Sequence, residues 1–185
     1  MKTRVILVHG YQGSPAENWL PWLRAELEKR GIEVLVPSMP HADAPQLKEW
    51  LLHLQKIVGP PNEQTFLAGH SLGCPAILRY LESLPPGQKI GGAVLVAGFA
   101  EPITFRELDS FVIGTWDEDR IKAAANTLVI INSDNDPYVP LVMGEHIRDR
   151  FNATLIVKHG AGHFNTKAGF TELPEVLQYL QTLLA

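Results

Sequence analysis

The chain has 185 residues, of which 45% are hydrophobic, and its formal net charge at pH 7 is -4. This length is ordinary for one globular domain, and we expect residues 1–185 to form a single domain. No cluster of Lys or Arg provides the basic surface that nucleic-acid binding requires, so we expect no nucleic-acid partner. Cys74 is the only cysteine, which excludes an intrachain disulfide and a metal site built on several thiolates.

The first apolar run of the chain, Val5 to Val8, ends at His9 and Gly10. It is too short to be the apolar region of a signal peptide. No later segment approaches the roughly 20 consecutive apolar residues that cross a bilayer. Together with the single cysteine, these features favour a cytoplasmic protein without a membrane partner.

Six short apolar runs, rich in β-branched residues, follow one another along the chain. They lack polar alternation, which is typical of strands that are covered on both faces. The runs lie at residues 4–8, 32–36, 65–68, 92–97, 127–131 and 154–157.

Segments with the apolar spacing of helices separate these runs. In the first of them, Asn18 is a candidate N-cap, Pro21 suits the first turn and Gly31 is a typical stop. The alternation of strands and helices predicts βαβ units, and therefore an α/β fold with a doubly wound, mostly parallel sheet between two helical layers. The other predicted helices span residues 45–58, 75–84, 142–151 and 172–183.

Polar, glycine-rich segments follow four of the six predicted strands. In a parallel sheet the ligand site lies at the carboxyl ends of the strands, so these segments are the candidate site. They are HGYQGS at 9–14, GHSLG at 69–73, NSDNDP at 132–137 and HGAGHF at 159–164.

Ser71 lies in Gly-His-Ser-Leu-Gly between a predicted strand and a predicted helix, which is the context of a nucleophile elbow. Only small residues fit at Gly69 and Gly73, because larger ones would collide with the adjoining strand and helix. The sharp turn projects the hydroxyl above the sheet, next to the unpaired N–H groups of a helix N-terminus. An ordinary tight turn has the same pattern, so a catalytic serine also requires a base and a carboxylate.

The base is chosen from seven histidines. His163 is the candidate, because it lies in a flexible Gly-Ala-Gly-His loop beyond the last predicted strand. We interpret His159, at the strand end, as structural. His9 and His70 occupy motif positions where we expect hydrogen-bonded scaffolding, and His41 lies in a Pro-rich loop that we expect at the rim of the pocket.

Two carboxylates compete to orient the base. Asp136 precedes Pro137 and so starts a rigid loop facing outward from the strand end, whereas Asp134 lies closer to the strand and is suited to capping the turn. We therefore favour Asp136 as the acceptor of the Nδ1 proton of His163.

An oxyanion requires two donors beside the serine. We expect one to be the backbone N–H of Leu72 and the other that of Tyr11, in the loop after the first strand. A glycine-rich turn without a ligand is the alternative interpretation of that loop.

The segment 99–125, between the fourth and fifth predicted strands, is too short for a large lid domain. Its aromatic residues, among them Phe105 and Trp116, form either a compact cap or ordinary core and surface positions. We expect a shallow, open pocket suited to small acyl groups. Its predicted lining residues are His41, Phe99, Tyr138 and Phe164.

Taken together, HGYQGS, GHSLG, SDNDPYVP and GAGHF resemble the corresponding motifs of α/β-hydrolases. The segment Asn18 to Leu23, the loop 36–40 and Trp50 also resemble the small single-domain serine hydrolases of the retinoblastoma-binding protein nine type. This resemblance covers nearly the whole chain. It implies a Ser-Asp-His triad at Ser71, Asp136 and His163, and a compact six-stranded sheet without the early antiparallel strands of larger relatives.

These observations predict a serine hydrolase that cleaves small carboxylic esters, or alternatively amides or thioesters, through an acyl-enzyme intermediate. The expected partner is a small-molecule acyl substrate, and no cofactor or metal is needed. The alternative function is a catalytically silent module that binds a protein partner, as the family name suggests. The Leu-x-Cys-x-Glu peptide expected for such a partner is absent, because the stretch Leu72-Gly73-Cys74-Pro75-Ala76 lacks the acid.

Two other sites are disfavoured. A dinucleotide fingerprint would need GxGxxG spacing, which the turn at 10–13 lacks, and an acidic residue after the second strand, which ends instead in Val36-Pro37-Ser38. No GxxxxGK[ST] phosphate loop occurs. Cys74 follows the elbow, in the first turn of the predicted helix, where a packed core thiol is favoured over a nucleophile.

Overall fold

The computed structural model describes residues 2–184, and within them six strands form one sheet. Neighbouring strands are all parallel, in the order β2-β1-β3-β4-β5-β6. The predicted six-stranded sheet is therefore confirmed, and in the described residues it is entirely parallel. The strands are β1 (Arg4–Val8), β2 (Glu33–Leu35), β3 (Thr65–His70), β4 (Gly92–Val96), β5 (Leu128–Ser133) and β6 (Thr154–Lys158).

Helices connect the strands, as the alternating sequence pattern predicted. They are α1 (Leu20–Glu28), α2 (Leu47–Val58), α3 (Gly73–Ser83), α4 (Glu118–Ala124), α5 (Leu141–Phe151) and α6 (Pro174–Leu184), with short 3₁₀ helices at Arg106–Phe111 and Thr166–Ala168. Helix α4 was not predicted from the sequence. This helix is short and polar, and only Ile121 and Ala124 of it are buried, so it has little apolar periodicity.

Two apolar cores lie on opposite faces of the sheet. Alternate residues of β1 point to opposite sides, so that Ile6 joins the core beneath α2, α3, α4 and α5, whereas Leu7 joins the core beneath α1 and α6. The doubly wound, three-layer arrangement follows from this division.

The start of α1 differs from the prediction. Asn18 does not cap the helix, since the N-cap position is Trp19 and no side chain caps it. The Asn18 Oδ1 instead accepts a hydrogen bond from the backbone N–H of Thr166, at 2.9 Å. Asn18 has a φ of 55°, and it ties the loop before α1 to the loop after β6.

No helix within residues 2–184 is both long and apolar enough to cross a membrane. The four glycine-rich segments follow β1, β3, β5 and β6. Because all strands run in the same direction, these segments meet at one edge of the sheet, where the site is expected.

Candidate active site

Ser71 occupies a strained turn between β3 and α3. Its φ is 53°, in the left-handed region that residues with a Cβ seldom adopt. The Ser71 N–H donates to the carbonyl of Val96 on β4, at 2.8 Å, and the Ser71 carbonyl accepts from the N–H of Cys74, at 2.9 Å. The turn is thus fixed to the neighbouring strand and to the following helix, with the serine between them.

The two glycines around Ser71 permit this turn by close packing. A Cβ on Gly73 would lie 2.4 Å from the carbonyl oxygen of Val8 on β1. A Cβ on Gly69 would lie 2.8 Å from Ile77 Cδ1 and 2.9 Å from the backbone of Gly73. As the sequence predicted, larger residues would collide with the strand and the helix.

His163 is brought to Asp136 by the loop that follows β6. The His163 Nδ1 lies 2.8 Å from Asp136 Oδ2, and the two side chains are only 11% and 1% exposed. The Asp136 Oδ1 accepts from the N–H groups of Tyr138 and Val139, at 2.9 and 3.1 Å. Because a carboxylate only accepts, the Nδ1 of His163 carries the proton, which leaves Nε2 of the neutral ring as an acceptor.

Asp134 forms a separate pair. Its Oδ2 lies 2.7 Å from His159 Nδ1, and its Oδ1 accepts from the N–H of Gly160, at 2.9 Å. The hydrogen bond from Gly160 and the bond from His159 lower the pKa of Asp134. The His159 side chain is 85% exposed, so this second His-Asp pair lies at the surface.

His70 and His9 are buried histidines that support the site through hydrogen bonds. The Nε2–H of His70 donates to the carbonyl of His163, at 2.8 Å, and burial lowers the pKa of His70 to about 3. His9 donates from Nδ1 to the carbonyl of Gly10, at 2.8 Å, and its Nε2 accepts from the N–H of Met39, at 2.9 Å. Burial also lowers the pKa of His9. Both rings are therefore neutral, and their hydrogen bonds stabilise the two loops beside Ser71.

The loop after β1 lies directly against the elbow. A Cβ on Gly10 would lie 3.1 Å from Ser71 Cβ, so no residue with a side chain fits there without movement. The backbone N–H groups of Tyr11 and Leu72 donate no hydrogen bond to any acceptor within residues 2–184. These two N–H groups, which the sequence predicts as the oxyanion donors, are therefore unpaired within residues 2–184.

A cavity of about 470 Å³ opens above Ser71 and His163. Tyr138 lines it, as predicted, but three other predicted lining residues do not. Phe99 and Phe164 are fully buried in the two cores, and His41 is exposed and bonded to Glu49, at 2.8 Å. The complete lining is Tyr11, Gln12, Ser71, Ile103, Phe105, Leu108, Tyr138, His163 and Asn165.

Five of these lining residues were not predicted from the sequence to belong to the pocket. Ile103, Phe105 and Leu108 come from the segment between β4 and α4, where the scattered apolar residues were the available signal. Gln12 and Asn165 are uncharged residues next to predicted site positions. Their side chains carry no pattern that distinguishes a pocket wall from an ordinary loop.

A family model described as Serine hydrolase matches residues 5–182. The chain belongs to the serine hydrolase family. This hydrolase is 38% identical to YdeN of Bacillus subtilis (strain 168) over 182 residues, which cover 97% of the chain and 95% of YdeN. It is 25% identical to the serine hydrolase RBBP9 of Rattus norvegicus over 187 residues, which cover 98% of the chain and 96% of RBBP9.

Solved structures of other hydrolases share the fold of this chain. The crystal structure of the ydeN gene product from B. subtilis matches this hydrolase with a TM-score of 0.95 at 36% identity, covering 98% of each chain. Est1E from Butyrivibrio proteoclasticus has the same fold, with a TM-score of 0.71 at 15% identity over 99% of this chain and 88% of Est1E. The predicted resemblance to the retinoblastoma-binding protein nine type is confirmed. The protein is a hydrolytic enzyme, so a catalytically silent module is not supported.

Proposed function

We propose that this hydrolase cleaves small, uncharged carboxylic esters through an acyl-enzyme on Ser71. The deciding observation is that Ser71 and His163 line one cavity, while His163 Nδ1 is hydrogen-bonded to the buried Asp136 carboxylate at 2.8 Å. A serine hydroxyl is a weak nucleophile without a base, and a base of this kind needs a group that fixes its tautomer. The three side chains supply the nucleophile, the base and the orienting carboxylate.

In the first step Ser71 Oγ attacks the carbonyl carbon while His163 Nε2 accepts the hydroxyl proton. The carbonyl π electrons move to oxygen, and the free N–H groups of Tyr11 and Leu72 donate to this oxyanion. When the tetrahedral intermediate collapses, the bond to the alcohol breaks and His163 returns the proton to the leaving alcohol. Water then attacks the acyl-enzyme with His163 as base, which releases the acid and restores Ser71.

Asp136 acts on His163 throughout this cycle. It holds the proton on Nδ1 and stabilises the imidazolium that forms when Nε2 takes the serine proton. The Asp136 side chain is 1% exposed, and in such a poorly solvated place the attraction between carboxylate and imidazolium is stronger than in water.

The charges around the cavity favour uncharged substrates. No Lys or Arg is among the residues that line it. At its edge the Tyr11 hydroxyl donates to the Glu107 carboxylate, at 3.0 Å, which places a negative charge near the mouth. A substrate carboxylate would lose its hydration here without gaining a cationic partner. Amides and thioesters remain the second candidates for the scissile bond.

Hydrolysis of methyl 4-acetoxybenzoate, compared with that of 4-acetoxybenzoate, tests both parts of the proposal. The two esters carry the same acetyl group and differ by one carboxylate. We expect the uncharged ester to have a kcat/KM about ten-fold higher or more, because the carboxylate is desolvated without a partner. Each rate is divided by the hydroxide-driven rate of the same ester, which corrects for leaving-group reactivity.

Two outcomes would contradict the proposal. If neither ester were hydrolysed faster than in buffer, ester hydrolysis would be the wrong reaction for this hydrolase. If the two normalised rates were equal, the esterase activity would stand, but the preference for uncharged substrates would not.

A further inference from the structure

One wall of the cavity comes from a segment with little regular structure. Ile103, Phe105 and Leu108 belong to residues 101–117, between β4 and α4, where the main regular element is the 3₁₀ helix Arg106–Phe111. A 3₁₀ helix has poorer hydrogen-bond geometry than an α-helix, so it contributes little rigidity of its own. The position of this wall therefore depends on contacts between the segment and the rest of the domain.

Arg79 makes several of those contacts from α3, the helix that starts at the elbow. Its side chain is buried, although Arg is seldom found inside proteins. Its guanidinium donates to three carbonyls of the segment: from Nε to Phe111 at 3.0 Å, from Nη2 to Ile113 at 3.1 Å and from Nη1 to Thr115 at 3.4 Å. The first of these carbonyls belongs to the last residue of the 3₁₀ helix.

Four more contacts complete this attachment. The Arg79 Nη1 also pairs with Glu82 Oε2, at 2.7 Å, while Glu82 Oε1 accepts from the N–H of Asp117, at 2.7 Å. The guanidinium carbon lies 3.6 Å from the centre of the Trp116 ring. The indole N–H of Trp116 donates to the carbonyl of Ala100, at 2.9 Å, so the two ends of the segment are tied together.

This set of contacts requires the shape of arginine. Guanidinium is planar and presents five N–H donors in a fixed fork, and it also stacks on an aromatic ring. The ammonium of lysine has three donors at one point and cannot reach three carbonyls, a carboxylate and the Trp116 face together. The buried guanidinium therefore needs these carbonyls as partners for its N–H groups, and residues 111–117 need the guanidinium to hold their backbone path.

We propose that Arg79 is a positioning residue that fixes the wall formed by Ile103, Phe105 and Leu108, and that it thereby sets the acyl-chain length that this hydrolase accepts. The inference rests on the proposed esterase function. Arg79 touches neither Ser71 nor the cavity. It binds the carbonyls of the residues that follow Leu108. Its own helix, α3, begins beside Ser71. Arg79 therefore connects the helix that follows the nucleophile to the wall that the acyl chain would contact.

Arg79→Lys tests this proposal, with Arg120→Lys as the matched control. Arg120 is an arginine that donates from Nε to the carbonyl of Leu84, at 3.1 Å, and it does not line the cavity. Two measurements are made on the full chain. One is kcat/KM for p-nitrophenyl acetate, butyrate and hexanoate; the other is hydrogen exchange of the backbone amides of residues 101–117.

In Arg79→Lys we expect the ratio of hexanoate to acetate kcat/KM to fall about ten-fold, because a loosened wall loses contacts with the added methylenes and not with the acetyl group. Exchange in 101–117 should become about ten-fold faster, while exchange in β3 stays as in the wild type. Arg120→Lys should change neither. Glu82→Gln, which removes only the charged partner, should shift both measurements in the same direction by a smaller factor.

A uniform loss of activity across all three esters, or an unchanged chain-length profile, would overturn the proposal. If Arg79→Lys does not fold, the same two measurements on Glu82→Gln decide the matter. If the wild type hydrolysed none of these esters, the proposed function would fail; faster exchange in 101–117 would then still establish the anchor, and the selectivity role would be refuted.

Discussion

We expect Asp136→Asn to lower kcat for p-nitrophenyl acetate by about 10⁴-fold, by the tautomer argument that applies to a carboxylate facing a catalytic imidazole. The amide oxygen of Asn can still accept from the N–H groups of Tyr138 and Val139, so the loop keeps its shape. The amide NH₂ then faces His163 Nδ1 and stabilises the tautomer with the proton on Nε2. That ring cannot accept the serine proton. We expect the free energy of unfolding to change by only about 1 kcal/mol, so the loss of activity is not a loss of folding.

Asp134→Asn is the matched control for this substitution. Asp134 is bonded to the exposed His159 and not to His163, so kcat should stay within about two-fold of wild type, as for other surface substitutions. Steady-state kinetics and urea unfolding of both variants give the comparison. Normal turnover in Asp136→Asn together with a large loss in Asp134→Asn would move the orienting role to Asp134.

We expect His163→Gln to lower kcat by about 10⁴-fold or more, because no other residue that lines the cavity is a base suited to accept the proton of Ser71. Gln has no basic lone pair at the position of Nε2. His159→Gln serves as the control: this histidine is 85% exposed and lies outside the cavity, and its loss should leave kcat unchanged. A similar loss in both variants would point to destabilisation of the β6 loop and not to loss of the base.

The pH dependence of the wild type gives a second measurement of the same role. Turnover should fall in acid, since protonated His163 has no lone pair for the serine proton. Burial lowers the pKa of His70 to about 3, so His70 stays neutral and keeps its bond to the His163 carbonyl across the measured range from pH 5 to 8. A rate that did not fall in acid at any pH at which the protein stays folded would contradict the assignment of His163 as base.

The elbow was predictable from sequence because its determinants are local. The strand before Ser71, the helix after it and the two glycines all lie within a few residues, and each glycine fills a place where a Cβ would collide. The Asp136–His163 pair is distant in sequence. It was nevertheless predictable, because the ends of parallel strands meet at one edge and each residue follows its strand closely.

The pocket wall was not predictable in this way. Phe164 follows His163 directly, yet it has a φ of 51° and its side chain enters the core beneath α1 and α6. Phe99 follows β4 but is enclosed in the opposite core. Burial of such aromatic residues is decided by the path of the backbone in three dimensions, and no spacing in the sequence records that path. The anchoring of residues 101–117 by Arg79 depends on the same long-range contacts.

If Ser71 is the nucleophile of this hydrolase, a reagent that reacts covalently with activated serines should label it. The full chain is treated with a fluorophosphonate probe, and the product is digested and mapped by mass spectrometry. We expect a single adduct on Ser71, no adduct in Ser71→Ala and much slower labelling in His163→Gln. An adduct on another residue, or equal labelling of Ser71→Ala and wild type, would contradict it.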